Sequence, residues 1–347
     1  MKARALVAGA GGLIGRRIAA HLLERGWDVA GIARRRHSVP PLSWIATDLT
    51  DTNKTRTALA TLNDVTHVFY AARADHPEGV PESESRNTAM LRNLLDALSL
   101  AGSPLAHVTL VHGTKHYGHP DPIPFPVSEE LPRGARPTFY FAQEDLVRSR
   151  ATEGGWTWSI ARPHTFCDPA PDHPRSIGLV IAIYAAIQRA LGEPLFFPGS
   201  ERSFNARTQF TDTALLARAL EWMGTEPRCA NQAFNIVNGD VPRWCEMWPR
   251  FADMLGIEPG GPRAMNLACY MRDKEGVWQA LVQRHGLRAA PLERIVLWDY
   301  GDYVFRPEWD IMSAMNKARR CGFEPRVDTL EMFSRVFAGY REARVIP

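Results

Sequence analysis

The segment Gly9-Ala10-Gly11-Gly12-Leu13-Ile14-Gly15 follows a short apolar run and opens a stretch with helical spacing that extends to Leu23. Glycines at the first, fourth and seventh positions of such a segment permit a tight turn, close approach of a pyrophosphate, and close packing of the helix on a sheet. Free N–H groups at the helix N-terminus then bind the phosphates. The sequence therefore predicts a dinucleotide site formed by Gly9, Gly11, Gly12, Leu13, Ile14 and Gly15.

Further apolar runs follow this segment, with helical patterns between them. The runs are 29–33, 44–48, 68–72, 108–111 and 158–161, and the clearest helical patterns are 84–100 and 140–152. Continuous apolar strands that alternate with helices are typical of a parallel sheet covered on both faces. The predicted fold is therefore α/β, with a Rossmann-type doubly wound parallel sheet.

The domain organisation is predicted from a change of amino-acid composition after Pro163. Prolines accumulate there, and the following chain has many helical patterns and aromatic residues. A return to the sheet is expected within 207–243, at 210–222 and 234–237. We therefore predict an NADP-binding Rossmann domain over 1–165 together with 207–243. A smaller, mainly helical substrate lobe is predicted over 166–206 and 244–347.

Composition excludes several classes of function. Among 347 residues, 45% are hydrophobic and 23% are charged, and the net charge of +3 is too small to indicate nucleic acid or an anionic membrane surface. No apolar run approaches the ~20 residues that a membrane helix needs. Five scattered cysteines without a C-x-x-C pair indicate reduced thiols, and Met1 leads directly into a strand. We therefore expect a cytoplasmic protein without a signal peptide.

The end of the second strand predicts which nicotinamide cofactor binds. An acidic residue there would bind a ribose hydroxyl, whereas this chain has Arg34 and Arg35. A guanidinium matches a phosphate through charge-assisted hydrogen bonds, so NADPH is the expected cofactor. The alternative is a solvated basic surface. The predicted site also includes residues at the ends of the third and fourth strands, namely Asp48, Leu49, Ala71 and Ala72.

Two later segments resemble the catalytic segments of short-chain dehydrogenases/reductases. They are His112-Gly113-Thr114-Lys115-His116-Tyr117-Gly118 and Phe139-Tyr140-Phe141-Ala142-Gln143-Glu144-Asp145. Such enzymes normally carry a serine in the first segment and Tyr-x-x-x-Lys in the second. Here Gly113 replaces the serine, Glu144 lies four residues after the tyrosine, and a lysine is found at Lys115 instead. A carboxylate would oppose ionisation of the tyrosine, whereas Lys115 could approach it from the neighbouring loop.

The displaced lysine makes the chain similar to the progesterone 5β-reductase/iridoid synthase family of atypical short-chain reductases. The segments 113–117 and 138–145 resemble the family's Thr-Gly-x-Lys-His-Tyr and Asn-Phe-Tyr-Tyr-x-x-Glu-Asp motifs. Further similarity lies in 66–70, 92–97, 197–200, 233–235, 238–241, 315–317 and 345–347. The resemblance implies an NADPH-dependent reductase of enone or enal C=C bonds, with Tyr140 and Lys115 as the catalytic pair and Gly113 and Tyr140 against the cofactor. It also implies a possible homodimer through the helices 84–100 and 140–152.

This catalytic pair suits 1,4-reduction. Hydride added at the β-carbon of an enone places negative charge on the carbonyl oxygen, and a phenol aimed at that oxygen stabilises the charge as it develops. A nearby ammonium favours the ionised phenol. One alternative is carbonyl reduction at the same site, and another is a non-catalytic NADP(H)-binding regulator. An epimerase or dehydratase is disfavoured because the serine and the Tyr-x-x-x-Lys motif are missing.

Substrate contacts are predicted for Arg73, Phe166 and Trp309. Arg73 lies where relatives carry a tryptophan, so the substrate is expected to bear a carboxylate or phosphate if this side chain faces the cavity. The alternative is an arginine at the mouth of the site that contacts cofactor or solvent. Phe166 and Trp309 are expected to wall an apolar cavity, or else to be ordinary core residues. The histidines of 112–119 lie on a strand and an irregular loop, so no metal site is predicted.

Overall fold

The computed structural model describes residues 3–35, 43–74, 76 and 80–347. The strands are β1 (Arg4–Ala8), β2 (Asp28–Ala33), β3 (Ser43–Ala46), β4 (His67–Tyr70), β5 (His107–Val111), β6 (Thr157–Pro163), β7 (Phe166–Cys167), β8 (Leu195–Phe197), β9 (Thr211–Asp212), β10 (Gln232–Ile236) and β11 (Pro259–Pro262). The helices are α1 (Leu13–Glu24), α2 (Thr52–Leu59), α3 (Glu84–Leu100), α4 (Phe139–Gly154), α5 (Ile177–Leu191), α6 (Glu201–Asn205), α7 (Thr213–Thr225), α8 (Trp244–Leu255), α9 (Leu267–Met271), α10 (Glu275–His285), α11 (Leu292–Ile295), α12 (Trp298–Phe305), α13 (Asn316–Arg320) and α14 (Thr329–Glu342).

The chain divides into two compact units. The first comprises Met1–His164, Thr213–Ile236 and Ala314–Pro325, and the second comprises Thr165–Asp212, Val237–Ser313 and Arg326–Pro347. The second unit includes 207–212 and 237–243, which were predicted to belong to the Rossmann domain. The first unit includes 314–325, which was predicted to belong to the substrate lobe. The reason is local packing, since Lys317 on α13 donates to the carbonyl of Ala233 on β10 at 3.0 Å. The roles predicted for the two lobes stay predictions.

The first unit contains a seven-stranded sheet in the order β10-β6-β5-β4-β1-β2-β3. All of its pairings are parallel. The strand order reverses between β1 and β4, where Ala8 lies opposite Tyr70. In open α/β sheets, ligands bind beyond the carboxyl ends of the strands at such a point. The predicted doubly wound parallel sheet is confirmed.

Helices flank this sheet in two groups, α1 with α7 and α2 with α3 and α4. The side chain of Ser83 caps the amino end of α3 by accepting from the amide of Arg86, and Leu91, Leu94, Leu95 and Leu98 are buried at helical spacing. The region 210–222 was expected to return to the sheet, but 213–225 forms α7. Its buried residues include Leu215, Leu216 and Leu220, whose spacing suits one face of a helix. A homodimer through α3 and α4 stays a prediction.

The second unit is mainly helical, with two-stranded pairings of β8 with β11 and of β7 with β9. Its core surrounds α5, which is buried along nearly its whole length, and includes Trp248, Phe251 and Phe333. Among the described residues, no helix combines the length and apolar character required to cross a membrane.

Candidate active site

The glycine turn between β1 and α1 is shaped for close backbone approach. Gly9 has φ of +82°, and a Cβ atom there would lie 2.8 Å from the amide nitrogen of Ala72. A Cβ atom at Gly15 would collide with the carbonyl oxygen of Gly9. Gly12 is the N-cap residue that precedes α1 and provides no side-chain hydrogen bond, and the first turn of that helix has no acidic residue. The first N–H groups of α1 are therefore available to an anion, and the turn fits a dinucleotide pyrophosphate.

The remaining residues of the turn differ in their exposure to solvent. Gly11 and Ile14 are partly exposed, whereas Leu13 is buried beneath the turn. Ala71 continues from β4, and its amide donates to the carbonyl of Ala8 at 3.0 Å. The structure therefore brings the turn and the exit of β4 together.

The residues predicted to bind the nucleotide follow the ends of β2 and β3 and lie close together. Arg34 and Arg35 directly follow β2 and are exposed. The amide and hydroxyl of Thr50 donate to Asp48 at 2.9 and 2.8 Å. These hydrogen bonds, with a further contribution from the charge of Arg34, lower the pKa of Asp48. Leu49 is buried, and its carbonyl accepts from a side-chain amide on α3.

Tyr140 lies in the first turn of α4. A Cβ atom at Gly113 would be 3.4 Å from the phenol oxygen, so this oxygen lies directly against the glycine where a serine is usual. The ring of His112 stacks on the ring of Tyr140, with centroids 4.5 Å apart and an interplanar angle of 13°. The phenol is therefore held between β5 and the start of α4.

His112 is a residue that sequence reasoning did not assign to the site. It is only 4% exposed. Burial, with a contribution from the charge of Arg162, lowers its pKa well below the ordinary histidine value, so the ring is neutral near pH 7. The signal that points to it is the family motif, in which this position carries a threonine.

Lys115 lies on the 3₁₀ helix Thr114–Tyr117 that follows β5. Its Nζ donates to Oε2 of Glu82 at 2.8 Å, and Nη1 of Arg73 donates to Oε1 of the same carboxylate at 2.9 Å. We call this arrangement of Arg73, Glu82 and Lys115 the Glu82 bridge. Burial tends to raise the pKa of Glu82, but the opposing charges of Lys115 and Arg73 outweigh it and the pKa is lowered. Glu82 was missed because 33 residues separate it from its lysine partner.

Glu144 occupies the position where a lysine is usual and holds a buried ion network. Its side chain is 4% exposed, and Arg148 donates to its Oε1 at 2.7 Å. Arg133 and Arg162 approach Oε2 to 3.5 and 3.6 Å. His116 lies 3.7 Å from the same oxygen, and burial together with the charge of Arg162 lowers its pKa to about 3. Glu144 therefore ties α4 to β6 and to the preceding loop.

Tyr117 belongs to the same buried network. Its hydroxyl donates to Asn235 on β10 at 2.8 Å and accepts from Arg162 at 3.0 Å. Burial raises the pKa of Tyr117 to about 12. These contacts give Tyr117 a structural role.

Within the described part of the chain, no group of three or more His, Cys, Asp or Glu side chains is arranged to hold a metal ion.

The two aromatic residues predicted to contact substrate belong to the second unit. Phe166 lies in β7, where it pairs with Thr211 of β9. Trp309 follows α12 and is partly buried. Their contacts with substrate stay predictions.

The chain is similar to several known proteins. Residues 45–347 match the family described as PRISE-like Rossmann-fold domain. A 3-oxo-Delta(4,5)-steroid 5-beta-reductase from Arabidopsis thaliana is 32% identical over 365 residues, covering 99% of this chain and 93% of the relative. An (S)-8-oxocitronellyl enol synthase from Camptotheca acuminata is 31% identical, with the same two coverages of 99% and 93%. The solved UDP-glucose 4-epimerase of Thermus thermophilus, a complex with NAD, has a TM-score of 0.68 at 19% identity over 98% of this chain and 99% of that one, a likeness of fold.

Proposed function

This chain belongs to the PRISE-like Rossmann-fold family, and from that premise we propose that it reduces the C=C bond of an enone or enal with NADPH. The observation that carries the proposal is the phenol oxygen of Tyr140 held against Gly113, with a lysine two residues further along the same loop. The name of the Arabidopsis relative, a steroid 5-beta-reductase that matches over almost the full chain, supports the same reaction class.

The cofactor would be held by the glycine turn. The first-turn N–H groups of α1 would meet the pyrophosphate, and the exposed Arg34 and Arg35 would meet the 2′-phosphate that distinguishes NADPH from NADH. The bound cofactor supplies the hydride. A solved relative of the same fold contains NAD, which supports a nicotinamide dinucleotide, and the two arginines favour the phosphorylated form.

Tyr140 would act on the carbonyl oxygen of the substrate. When hydride reaches the β-carbon, negative charge develops on that oxygen, and the phenol stabilises it by donating a hydrogen bond. His112 holds the phenol ring by stacking and carries no charge of its own near neutral pH. Lys115 contributes the positive field, and solvent protonates the α-carbon of the enolate.

Gly113 favours reduction of the alkene over reduction of the carbonyl. A serine there would add a second hydroxyl donor for a carbonyl oxygen that accepts hydride at its own carbon, as in ordinary short-chain reductases. Tyr140 alone could still serve a carbonyl reduction, so product identity separates the two reactions.

The test uses NADPH carrying deuterium at the transferred position, with a panel of enones, enals and saturated ketones. Mass spectrometry is expected to find saturated carbonyl products with deuterium at the β-carbon. Alcohols labelled at the carbinol carbon would favour carbonyl reduction. Tight NADPH binding without turnover of any substrate would favour the non-catalytic regulator.

A further inference from the structure

We propose that Glu82 determines substrate specificity, by weakening the attraction of the site for enones that bear a carboxylate or phosphate. The inference rests on the proposed function, because it takes Lys115 as a residue of the reaction site. It goes further by naming a residue that controls charge preference, and it weakens the preference for an acidic substrate that Arg73 alone suggests.

The carboxylate of Glu82 is engaged at both oxygens. Oε2 accepts from Lys115 at 2.8 Å and Oε1 accepts from Arg73 at 2.9 Å. The Glu82 side chain is 10% exposed, whereas those of Lys115 and Arg73 are 34% and 41% exposed. The two cations therefore face solvent more than the anion that pairs them. Two free cations would attract an anionic substrate, but the carboxylate reduces the charge of the trio from +2 to +1.

The Glu82 bridge is held in place by hydrogen bonds between the side chain of Asn87 and the backbone next to two of its members. Asn87 accepts from the amide of Ala74, next to Arg73, at 2.8 Å. Its own amide group donates to the carbonyl of Ser83, next to Glu82, at 2.8 Å. One buried side chain thus holds the arginine and the glutamate in a single local frame, which distinguishes this bridge from a chance surface ion pair.

Glu82→Gln removes the charge and keeps the shape. One unit charge at several ångströms, with an effective dielectric constant of about 20, changes the binding of an anion by about 10- to 100-fold. The gain specific to anionic substrates belongs to their KM, because a stronger field on the developing enolate acts on charged and uncharged enones alike and cancels in their ratio. The observed side-chain pairing thus predicts a change in substrate preference.

The experiment compares a linear enone that ends in a remote carboxylate with its methyl ester. The reference is the wild-type ratio of kcat/KM for the ester to kcat/KM for the acid. Glu82→Gln is expected to lower the ester-to-acid ratio by about 10-fold or more, mainly through the KM of the acid. Glu82→Asp, which keeps the charge, is expected to stay near the wild-type ratio.

The control is Glu84→Gln, an equal charge change at an exposed position in the first turn of α3. An unchanged ratio in Glu82→Gln, or an equal shift in the control, would overturn the inference. A wild type that reduces neither enone would instead contradict the proposed function.

A second measurement tests the Glu82 bridge without requiring turnover of a substrate. Reductive methylation of Lys115, followed by peptide mass spectrometry, is expected to be several-fold faster in Glu82→Gln than in Glu84→Gln, because the ammonium loses its carboxylate partner. Equal labelling rates in the two variants would show that Glu82 does not hold Lys115 in solution, and would overturn the inference even if no substrate is turned over.

Discussion

Glu144→Lys would restore the usual Tyr-x-x-x-Lys spacing, yet we expect it to destabilise the protein. The carboxylate of Glu144 lies within 3.6 Å of Arg162, which is 3% exposed, and within 3.5 Å of Arg133. Its other oxygen accepts from Arg148. A lysine at this position would add a fourth cation to three guanidinium groups and leave Arg162 as an uncompensated buried charge.

The magnitude follows from the burial of Arg162. Removing one partner of a buried ion pair costs about 3–5 kcal/mol, whereas pairs between exposed side chains contribute only about 0–1 kcal/mol. For a unit of 150–250 residues, each kcal/mol shifts the melting temperature by about 2–4 °C. Glu144→Lys should therefore lower the melting temperature by roughly 6–20 °C.

The assay is thermal unfolding followed by circular dichroism, with Glu153→Lys as the matched control. Glu153 lies in the last turn of the same helix and is exposed, so the same charge reversal should cost little there. A Glu144→Lys variant as stable as the control would refute the reasoning about the buried network. So would a stable variant that gained ordinary carbonyl reductase activity.

Substitutions at four further positions test the cofactor site and the phenol. Gly15→Ala is expected to abolish NADPH binding, because its Cβ would collide with a carbonyl oxygen of the turn; an unchanged affinity by fluorescence titration would argue against this site. Arg34→Ala and Arg35→Ala should each weaken NADPH binding by about 10-fold and spare NADH, since each loses a charged hydrogen bond to the 2′-phosphate; equal losses for both cofactors contradict that role. His112→Ala should lower kcat by about 10-fold because Tyr140 loses its stacked neighbour, and His112→Phe should restore it. Burial keeps His112 neutral, so the pH profile of His112→Phe should match the wild type; a changed profile would indicate direct proton transfer by His112.

The fold could be predicted from the sequence because its determinants are local. The glycine turn, the apolar strands and the helical pattern over 84–100 each lie within a short segment, and the observed α3 has those same bounds. The family resemblance is likewise confirmed by the match over 45–347. The return of 314–325 to the first unit was not predicted, because it depends on contacts of α13 with β10 that no local pattern encodes.

The side-chain networks were harder to predict than the fold. Glu82 lies in a segment of proline, serine and glutamate that reads as an ordinary loop, and its partners come from the exit of β4 and the loop after β5. Glu144 could be recognised as unusual, but its arginine partners on β6 and on the loop before α4 could not. Ion pairs between distant segments depend on the tertiary arrangement, which propensity and periodicity do not specify.

The most direct test of the central claim is the rate and product of enone reduction by Tyr140→Phe. This variant keeps the ring and its stacking on His112 but removes the hydroxyl beside Gly113. The wild type is expected to convert an enone and NADPH to the saturated ketone. Tyr140→Phe is expected to lower kcat/KM for this reaction by about 10²- to 10⁴-fold. A wild type that yields the allylic alcohol, or a Tyr140→Phe variant with an undiminished rate, would show that Tyr140 does not serve alkene reduction in this way.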